Sequence, residues 1–469
     1  MADDDRIDLV IVDAWDELPE QLRRELVARR AALPEWGPYQ RDDRPGRNWE
    51  PLRPMVIRER AYRGLESLST RLLRLAVDAC CRRASTVGDL HRLLRFPHQI
   101  LLMDPDRPLV AAELTRFARP DILVERGRPR FLEFNISTRL GGDGVAGWLA
   151  EAYVQLCPEI GLRLPPTTVA AQCAALTRTP ETGNGHRSSR RLLIPVHAVT
   201  DSTGTRHRRY MIKPGVLAAA QQVGLEVLHT DLVDLGLDNA GRLLASDVPV
   251  DIVLLGWRGS DHIVDDGGGL AALCAADRAR TVELFPRPES GLVSSKAVLS
   301  WLHEDCDAGV LGVADRALVR AHVPRTVCLG LDGDPDGERR LLRIAADDRD
   351  RLVAKPAVGR SGNDVIFGSR TSAQNWQTAV ADAARESPLV LQRRVEPDRI
   401  TMPFRDRESR RQVTTRVPFV LSLFMVDGAA AGILVRHMAP DLPGGDEVIG
   451  MRHGARPNAV LFAPEPHAT

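Results

Sequence analysis

The stretch from residue 118 to residue 136 constrains the fold more than any other part of the chain. Two apolar runs, DILVE and RFLEFNI, flank the turn sequence RGRP, and this arrangement predicts an antiparallel β-hairpin. Strand alternation puts Glu133 and Asn135 on one face of the hairpin and Phe134 and Ile136 on the other. The predicted hairpin is therefore amphipathic, with polar groups gathered on one side.

The polar face of this predicted hairpin carries oxygen ligands. Asp121 lies across the turn, twelve residues before Glu133, so its carboxylate joins Glu133 and Asn135 on neighbouring strands. Two carboxylates and an amide oxygen form a hard ligand set that suits Mg²⁺, which keeps waters and shares substrate phosphates. The alternative is a solvated acidic face that binds no metal.

A glycine-rich turn between two predicted strands, at residues 351–368, is the second candidate site. The first strand ends at Lys355, and Gly359 and Gly362 follow in the loop. Glycines let backbone N–H groups close on phosphate oxygens, while a lysine at the strand end supplies a point charge. The sequence is not a Walker loop, which would read GxxxxGK[ST] and open a helix. The alternative is a glycine-rich hairpin with a surface lysine.

Two further cations stand at positions where they could meet an anion. Lys296 lies early in a predicted amphipathic helix, and Arg436 ends an apolar strand. The chain has only three lysines, the third being Lys213, and all its other basic residues are arginines. An arginine at a strand end can stabilise a transferring phosphoryl group. A helix-surface lysine and a rim arginine are the alternatives.

Residues 142–147, GDGVAG, fit the pattern GxGxxG between a predicted strand and a helix predicted at about 148–157. That context is typical of a dinucleotide-binding turn. However, the preceding strand carries Glu133 and Asn135 instead of a continuous apolar run, and no acidic residue follows about 20 positions later. An NAD-dependent oxidoreductase is therefore an alternative, as is a loop that holds an anionic substrate at a helix N-terminus.

The composition argues against several classes of function. The chain has 63 basic and 63 acidic residues, so it lacks the basic excess typical of proteins that bind nucleic acid. Its seven cysteines are scattered, which predicts neither a disulfide framework nor a structural zinc site. The N-terminus lacks signal-peptide features, and the longest apolar stretch, 417–426, is about half a membrane span. The sequence thus predicts a cytoplasmic protein without a nucleic-acid or membrane partner.

The order of these stretches resembles that of ATP-grasp ligases of the glutathionylspermidine synthase type, including the related circularly permuted ATP-grasp proteins. In that family a stretch like RfD…EyNaDTPt precedes a helix with SNKaiLPlLW, then KPlfGREGaNV, then a strand that ends in an essential arginine. The corresponding stretches here are RPD at 119–121 with EFN at 133–135, SSKAVLSWL at 294–302, KPAVGRSGNDV at 355–365 and GILVRHM at 432–438. The match covers residues 108–150 and 285–469, with weaker agreement between.

The resemblance implies a cofactor-binding role for each matching residue. It implies that Asp121, Glu133 and Asn135 bind Mg²⁺. Lys296 and Lys355 are implied to hold the phosphates of ATP.

The resemblance also implies a lid, a base contact and two catalytic arginines. The lid is the loop of Gly359, Arg360, Ser361 and Gly362. Gln392 would lie near the adenine, and Arg119 and Arg436 would face the transferred phosphoryl group and the acyl phosphate.

The implied fold class is α/β (α+β), with an ATP-grasp architecture, a Rossmann-like pre-ATP-grasp unit and a helical N-terminal region. Changes in sequence texture predict four units. They are a mainly helical N-terminal region at 1–107, a hairpin and glycine loop for the metal and substrate site at 108–176, the Rossmann-like unit at 177–287, and the nucleotide-binding lobes at 288–469.

The implied activity is that of an ADP-forming carboxylate–amine ligase with ATP and Mg²⁺ as cofactors. The acid would form an acyl phosphate, and an amine would then displace phosphate to give an amide. A small carboxylate and a small amine, such as an amino acid or a small peptide, are the expected partners. The sequence selects neither the acid nor the amine, nor an oligomeric state.

Two departures from the family pattern bear on this expectation. Ser361 replaces the acidic residue of GREG, so the details of loop closure are expected to differ. The stretch ISTRLGGDG at 136–144 replaces NaDTPt, so acceptor recognition is expected to differ too. A nucleotide-binding protein that has lost catalysis is a further alternative.

Overall fold

The computed structural model describes most of the chain. The described residues are 9–33, 48–96, 102–137, 140–178, 190–200, 206–209, 215–256, 262–263, 267–331, 335–359, 362, 364–440 and 448–464. Within these ranges no helix is long and apolar enough to cross a membrane.

The described chain alternates helices and strands. The helices are α1 (Glu20–Ala32), α2 (Glu59–Arg83), α3 (Val87–Leu93), α4 (Ala111–Leu114), α5 (Asp143–Leu156), α6 (Thr168–Thr177), α7 (Val216–Gln222), α8 (Gly269–Arg278), α9 (Ala297–Asp307), α10 (Val313–His322), α11 (Pro335–Asp347) and α12 (Ala373–Glu386). The strands are β1 (Trp49–Pro51), β2 (Met55–Ile57), β3 (Phe117–Glu125), β4 (Arg128–Ile136), β5 (Arg191–Leu193), β6 (His197–Thr200), β7 (Arg206–Arg209), β8 (Glu226–Leu228), β9 (Leu235–Leu237), β10 (Leu243–Ala245), β11 (Val248–Pro249), β12 (Ile252–Leu254), β13 (His262–Ile263), β14 (Glu283–Phe285), β15 (Thr326–Leu329), β16 (Leu352–Pro356), β17 (Ile366–Phe367), β18 (Leu389–Arg393), β19 (Arg399–Asp406), β20 (Gln412–Val426), β21 (Ala429–His437) and β22 (Arg456–Phe462).

An eight-stranded sheet forms the centre of the described structure. Its main path runs β1-β19-β20-β21-β22-β2, and the hairpin of β3 and β4 joins it through β20. The fifteen-residue strand β20 makes this branching possible, because residues 412–418 pair with β19 and residues 421–426 pair with β3. The hairpin predicted from the sequence is confirmed, and its polar residues are thereby attached to the central sheet.

One face of the central sheet is covered by helices and forms the largest apolar core. Ala118, Phe134 and Ile136 of the hairpin are buried there together with Leu65 of α2 and Leu299 of α9. These hairpin residues alternate with the polar ones, as a strand period of two requires. The opposite face of the hairpin is therefore left free to line a site.

A separate four-stranded sheet with the order β8-β5-β12-β14 is parallel throughout. Helix α7 lies between β5 and β8 in the chain, and α8 lies between β12 and β14. Parallel neighbours need such crossover connections, and helices commonly supply them. The Rossmann-like unit expected from the sequence is confirmed in this sheet.

A smaller antiparallel sheet, with the order β15-β18-β16-β17, faces the central sheet across a cavity. Helices α11 and α12 cover its outer side, where Trp376 is fully buried and donates a hydrogen bond from Nε1 to the Ala345 carbonyl at 2.8 Å. These helices hold the inner face of the small sheet towards the cavity.

The N-terminal region contains two strands that the sequence patterns did not predict. Helices α1 and α2 agree with the predicted helical pattern, but β1 and β2 are short strands of the central sheet. Each has only three residues, which is too short for an alternation pattern to be recognised.

A buried ion cluster attaches α1 to β1 and β19 of the central sheet. Glu50 Oε2 accepts hydrogen bonds from Arg30 Nη2 at 3.0 Å and from Arg405 Nη2 at 2.8 Å. Arg407 Nε lies 3.3 Å from the other carboxylate oxygen. Glu50 and Arg30 are 0% exposed, so neither charge can be balanced by water.

Glu50→Gln should destabilise the protein by about 3–5 kcal/mol, because it removes the buried negative charge to which Arg30 and Arg405 both donate. Urea unfolding measures this as a lower transition midpoint. Glu20→Gln is the matched control, since Glu20 pairs with Arg24 on an exposed helix surface. Equal midpoints for the two variants would contradict the role given to the cluster.

Candidate active site

A cavity of about 560 Å³ lies between the central sheet and the small antiparallel sheet. Strands β3, β4, β20, β21 and β22 form its floor, and β16 and β18 form its roof. The ten predicted site residues that the structure describes all line it: Arg119, Asp121, Glu133, Asn135, Lys296, Lys355, Gly359, Gly362, Gln392 and Arg436. Residues separated by more than 300 positions in the chain are thus brought to one place.

The hairpin register explains why four polar residues share one face of the floor. Asp121 pairs directly with Glu133, and Arg119 pairs directly with Asn135. Residues paired across antiparallel strands point to the same side of the sheet, and so do residues two positions apart. Two carboxylates, one amide and one guanidinium therefore project into the cavity together.

A β-bulge next to these residues adds an apolar surface. The pairing shifts after Asp121, so that Ile122 faces Phe131 and Leu132 has no partner across the ladder. Leu132 and Leu123 both line the cavity. Moving along β3, the floor therefore changes from apolar at Leu123 to acidic at Asp121 and then to basic at Arg119.

Asp121 is the most heavily paired carboxylate in the floor. It accepts hydrogen bonds from Arg436 Nη2 at 2.8 Å, from Ser422 Oγ at 2.8 Å and from Arg119 Nε at 3.2 Å. Burial alone would raise the pKa of Asp121, but Arg119 and Arg436 outweigh it and hold that pKa well below its usual range. The carboxylate is therefore ionised at neutral pH.

Glu133 is paired with a lysine from the far side of the cavity. Its Oε2 lies 3.0 Å from Lys296 Nζ. Burial opposes ionisation, yet the lysine charge lowers the pKa of Glu133 below its usual value. Asn135 Nδ2 donates to the Arg119 carbonyl at 3.2 Å, which leaves its amide oxygen directed away from that bond.

Lys296 also ties the glycine-rich loop to the floor. It is the residue that caps the N-terminus of α9, and its backbone N–H donates to the Ala357 carbonyl at 2.8 Å. Its ammonium donates to the Gly359 carbonyl at 3.5 Å. One lysine therefore contacts both the hairpin and the loop that follows Lys355.

Lys355 projects from the roof towards the carboxylates. Its Nζ donates to Gln392 Oε1 at 2.8 Å. Burial lowers the pKa of Lys355 to about 8, although the charge of Glu133 acts in the opposite direction. An ammonium that is short of counter-charge in this way has a strong preference for an anionic ligand.

The glycine-rich loop is described only in part. Gly359 and Gly362 line the cavity, whereas Arg360 and Ser361 lie outside the described residues. Gly362 has a φ of +70°, and a Cβ there would lie 2.2 Å from Val448 Cγ1. A glycine is therefore required where the loop meets the segment 448–452.

The GxGxxG stretch is found in a setting that does not suit a dinucleotide. Gly142, with a φ of +91°, precedes α5, which begins at Asp143, earlier than the sequence predicted. The strand before it, β4, is antiparallel to β3, whereas the dinucleotide fingerprint belongs to a parallel βαβ unit. Gly142 lines the cavity instead, where a Cβ would lie 2.7 Å from Leu434 Cδ2.

The chemistry of the floor suits a hard divalent cation. Asp121, Glu133 and Asn135 offer carboxylate and amide oxygens on adjacent paired strands, which is the donor type that Mg²⁺ prefers. Among the described residues, no group of three or more His, Cys, Asp or Glu could hold a metal ion, and the floor itself offers two carboxylates with Asn135 as the third oxygen donor. The assignment of these three residues as metal ligands stays a prediction that the donor set supports.

Some residues that line the cavity, or that contact a lining residue, were not singled out in the sequence. Ser422 stands in the apolar run 417–426, and a polar residue in such a run was a usable signal. The apolar residues Leu123 and Leu132 gave no signal, because an apolar residue in a strand normally indicates core. The segment 448–452 also lines the cavity and matched no motif.

The three lysines make the ionisation of Lys355 directly measurable. In protein labelled with ¹³C-lysine, one signal should titrate with a midpoint of about 8 and should be lost in Lys355→Arg. Since this pKa lies below the ordinary 10.5, the unfolded chain binds more protons between the two values, and stability should rise with pH there.

Glu133→Gln should lower the midpoint of the Lys355 signal further, because the charge of Glu133 raises that pKa. The control Glu386→Gln, on the exposed surface of α12, should leave the titration unchanged. A Lys355 midpoint near 10.5 in the unsubstituted protein would contradict the proposed burial of this ammonium.

Comparisons with known proteins bear on the fold. No protein-family model matches the sequence, and no curated protein matches it either. Among solved structures, a glutathione synthetase-like effector from Globodera pallida superposes with a TM-score of 0.50 at 13% identity, over 88% of this chain and 90% of that one.

Two further structures match less well. A putative gamma-glutamylcysteine synthetase from Methylobacillus flagellatus gives a TM-score of 0.37 at 12% identity, over 84% of this chain and 87% of that one. D-cycloserine synthetase gives 0.29 at 18% identity, over 57% and 74%. The structural match to the glutathione synthetase-like effector, together with the two sheets that face each other across the cavity, shows that this chain has the ATP-grasp fold.

Proposed function

We propose that the chain is an ATP-dependent carboxylate–amine ligase that forms an amide bond and releases ADP and phosphate. The observation that carries the proposal is the order of surfaces along β3, from apolar through acidic to basic, inside a cavity of the ATP-grasp fold. This order matches the parts of the reacting complex: a base, a magnesium-bound triphosphate and a carboxylate.

The apolar end of the cavity is suited to the base of the nucleotide. Leu123, Val395 and Val420 form one buried cluster, against which Leu132 and Ile449 pack. All five residues line the cavity. A planar base would bury its faces well between such side chains, and a nucleotide bound in this way would have its phosphates towards Asp121.

The middle of the cavity is suited to a magnesium-bound triphosphate. Lys296 and Lys355 approach from α9 and the roof, while Asp121, Glu133 and Asn135 would hold the metal from the floor. Mg²⁺ held by these three residues would neutralise part of the phosphate charge. Phosphate oxygens would also replace Glu133 as the partner of Lys296, which releases that carboxylate for the metal.

The basic end of the cavity is suited to the acid substrate. Arg119 and Arg436 both contact Asp121 and flank the place where a γ-phosphate would end. A carboxylate oxygen of the acid attacks the γ-phosphorus, and the broken P–O bond leaves its electron pair on ADP. Both arginines stabilise the negative charge that spreads over the transferred group.

The second half of the reaction takes place at the same position. An amine attacks the acyl carbon, the phosphate leaves with the electron pair of the C–O bond, and the amine releases a proton. An acyl phosphate also reacts with water, so the roof and the loop at Gly359 and Gly362 must keep water out. An amino acid or a small peptide is the proposed class of substrate.

MgATP should bind to the protein in a calorimetric titration, and Lys355→Ala should weaken this binding by on the order of tenfold or more. The variant removes an ammonium that would contact the phosphates directly. Arg385→Ala, an exposed change on α12, is the control and should bind as the unsubstituted protein does.

NAD is titrated separately under the same conditions, as the ligand that the alternative oxidoreductase function would require. Binding of NAD without any response to MgATP would overturn the ligase proposal and return attention to residues 142–147. Binding of MgATP without ADP release, across wide pools of acids and amines, would identify a protein that has kept the site and lost the reaction.

Glu133→Ala should reduce the rate of ADP release by on the order of 10²-fold, because it removes one ligand of the metal that stabilises the transferred phosphoryl group. The rate is measured with the acid and amine that a pool screen identifies. Glu151→Ala, which changes an exposed glutamate of α5, should retain full activity. Near-normal turnover in Glu133→Ala would remove this residue from the site.

A further inference from the structure

Gln392 is placed at a junction of three hydrogen bonds at the back of the cavity. Its Oε1 accepts from Lys355 Nζ at 2.8 Å, and its Nε2 donates to Thr326 Oγ1 at 3.0 Å and to the Leu132 carbonyl at 3.4 Å. The side chain is 2% exposed. Every strong hydrogen-bonding direction of the amide except one lone pair is therefore used within the protein.

The orientation of this amide follows from the chemistry of its neighbours. An ammonium has only donors, so the amide atom that faces Lys355 must be the oxygen. The Thr326 hydroxyl donates to the Pro324 carbonyl at 2.7 Å, so its oxygen must accept from the amide nitrogen. Thr326 is 0% exposed and pairs directly with Gln392 across β15 and β18. The threonine therefore selects one of the two possible orientations of the glutamine amide.

The contact with Leu132 links the roof of the cavity to its floor. The β-bulge at Leu132 leaves this residue without a partner across the hairpin, and its carbonyl accepts the second hydrogen of the Gln392 amide. The next residue along β4 is Glu133. Gln392 thus holds the phosphate-binding lysine of one sheet in a fixed relation to the metal-binding strand of the other.

We infer that Gln392 is a positioning residue, held by Thr326 and Leu132, that fixes the ammonium of Lys355 towards the phosphates of the nucleotide and does not recognise the base. Neither N–H of its amide is left to donate to an adenine. The expectation based on resemblance, that Gln392 lies near the adenine, stays a prediction; the inference concerns which group its amide contacts. The inference rests on the proposed function, because it assigns Lys355 to a nucleotide.

Three ligands separate a role in positioning Lys355 from a role in recognising the base. All three carry a triphosphate, but one has adenine, one has guanine and one has no base. The dissociation constants of MgATP, MgGTP and magnesium tripolyphosphate are measured for the unsubstituted protein and for Gln392→Met. A positioning role predicts that all three weaken by about tenfold, with the ratio of ATP to GTP affinity unchanged. A loss confined to ATP would mean that Gln392 reads the base, and the inference would be wrong.

Thr326 gives the second test, because its hydroxyl bonds to Gln392 and is linked to Lys355 only through that residue. Thr326→Val keeps the shape but removes the hydroxyl, and it should weaken all three ligands by about tenfold, whereas Thr326→Ser should stay within about twofold. In a Lys355→Ala background the loss from Thr326→Val should shrink to about twofold or less. An equal loss in both backgrounds would indicate general structural damage and would overturn the inference.

The ¹³C-lysine signals of the ligand-free protein give a readout that does not depend on nucleotide binding. Thr326→Val should displace the Lys355 signal and leave those of Lys213 and Lys296 in place, which also shows that the variant is folded. Thr177→Val, which removes an exposed hydroxyl of α6, is the matched control and should displace none.

An unmoved Lys355 signal in Thr326→Val would refute the positioning role, whatever the ligands do. If the unsubstituted protein bound none of the three ligands, the proposed function would fail. The Lys355 signal would then still decide whether Thr326 and Gln392 position this lysine. The two conclusions can therefore be rejected separately.

Discussion

The pairing of the buried Asp121 and the partly buried Glu133 with cations, most of them from distant segments, is the interaction on which the site depends. A carboxylate that leaves water is stable only beside opposite charge or good donors. Asp121 finds Arg119 on its own strand and Arg436 on β21, and Glu133 finds Lys296 at the start of α9. The same contacts hold the hairpin, the central sheet and α9 together around one cavity. A ligand that binds in this cavity therefore contacts, and stabilises, all three of these elements at once.

The hairpin illustrates which parts of the fold could be predicted from sequence. Alternation with a period of two depends only on local geometry, so it located Glu133 and Asn135 on one face, and the predicted turn placed Asp121 on the neighbouring strand. The bulge at Leu132 could not be predicted in this way, because it is set by the pairing with β3 and leaves no mark in composition. The three-residue strand β1 was not predicted for a similar reason, because it is formed by its pairing with β19.

The site shows the same division between local and tertiary information. Scarcity of lysine made Lys296 and Lys355 conspicuous, and both do line the cavity. The hydrogen bonds of Gln392 come from residues 37 to 260 positions away, so no pattern around it could reveal them. Residues 142–147 match a dinucleotide-binding motif in sequence. However, the strand before them pairs antiparallel with β3, so they lack the parallel βαβ geometry on which that motif depends.

The long separation between the two halves of the floor has a consequence for the synthesis of the protein. Ser422 and Arg436 reach Asp121 across 301 and 315 positions of the chain. A ribosome that has translated only as far as β18 has produced a hairpin whose β3 edge still lacks β20 as its neighbour. Such an open edge is prone to pair with the wrong strand, and contacts of this range form slowly. The β3 edge is therefore open to mispairing until β20 has been synthesised.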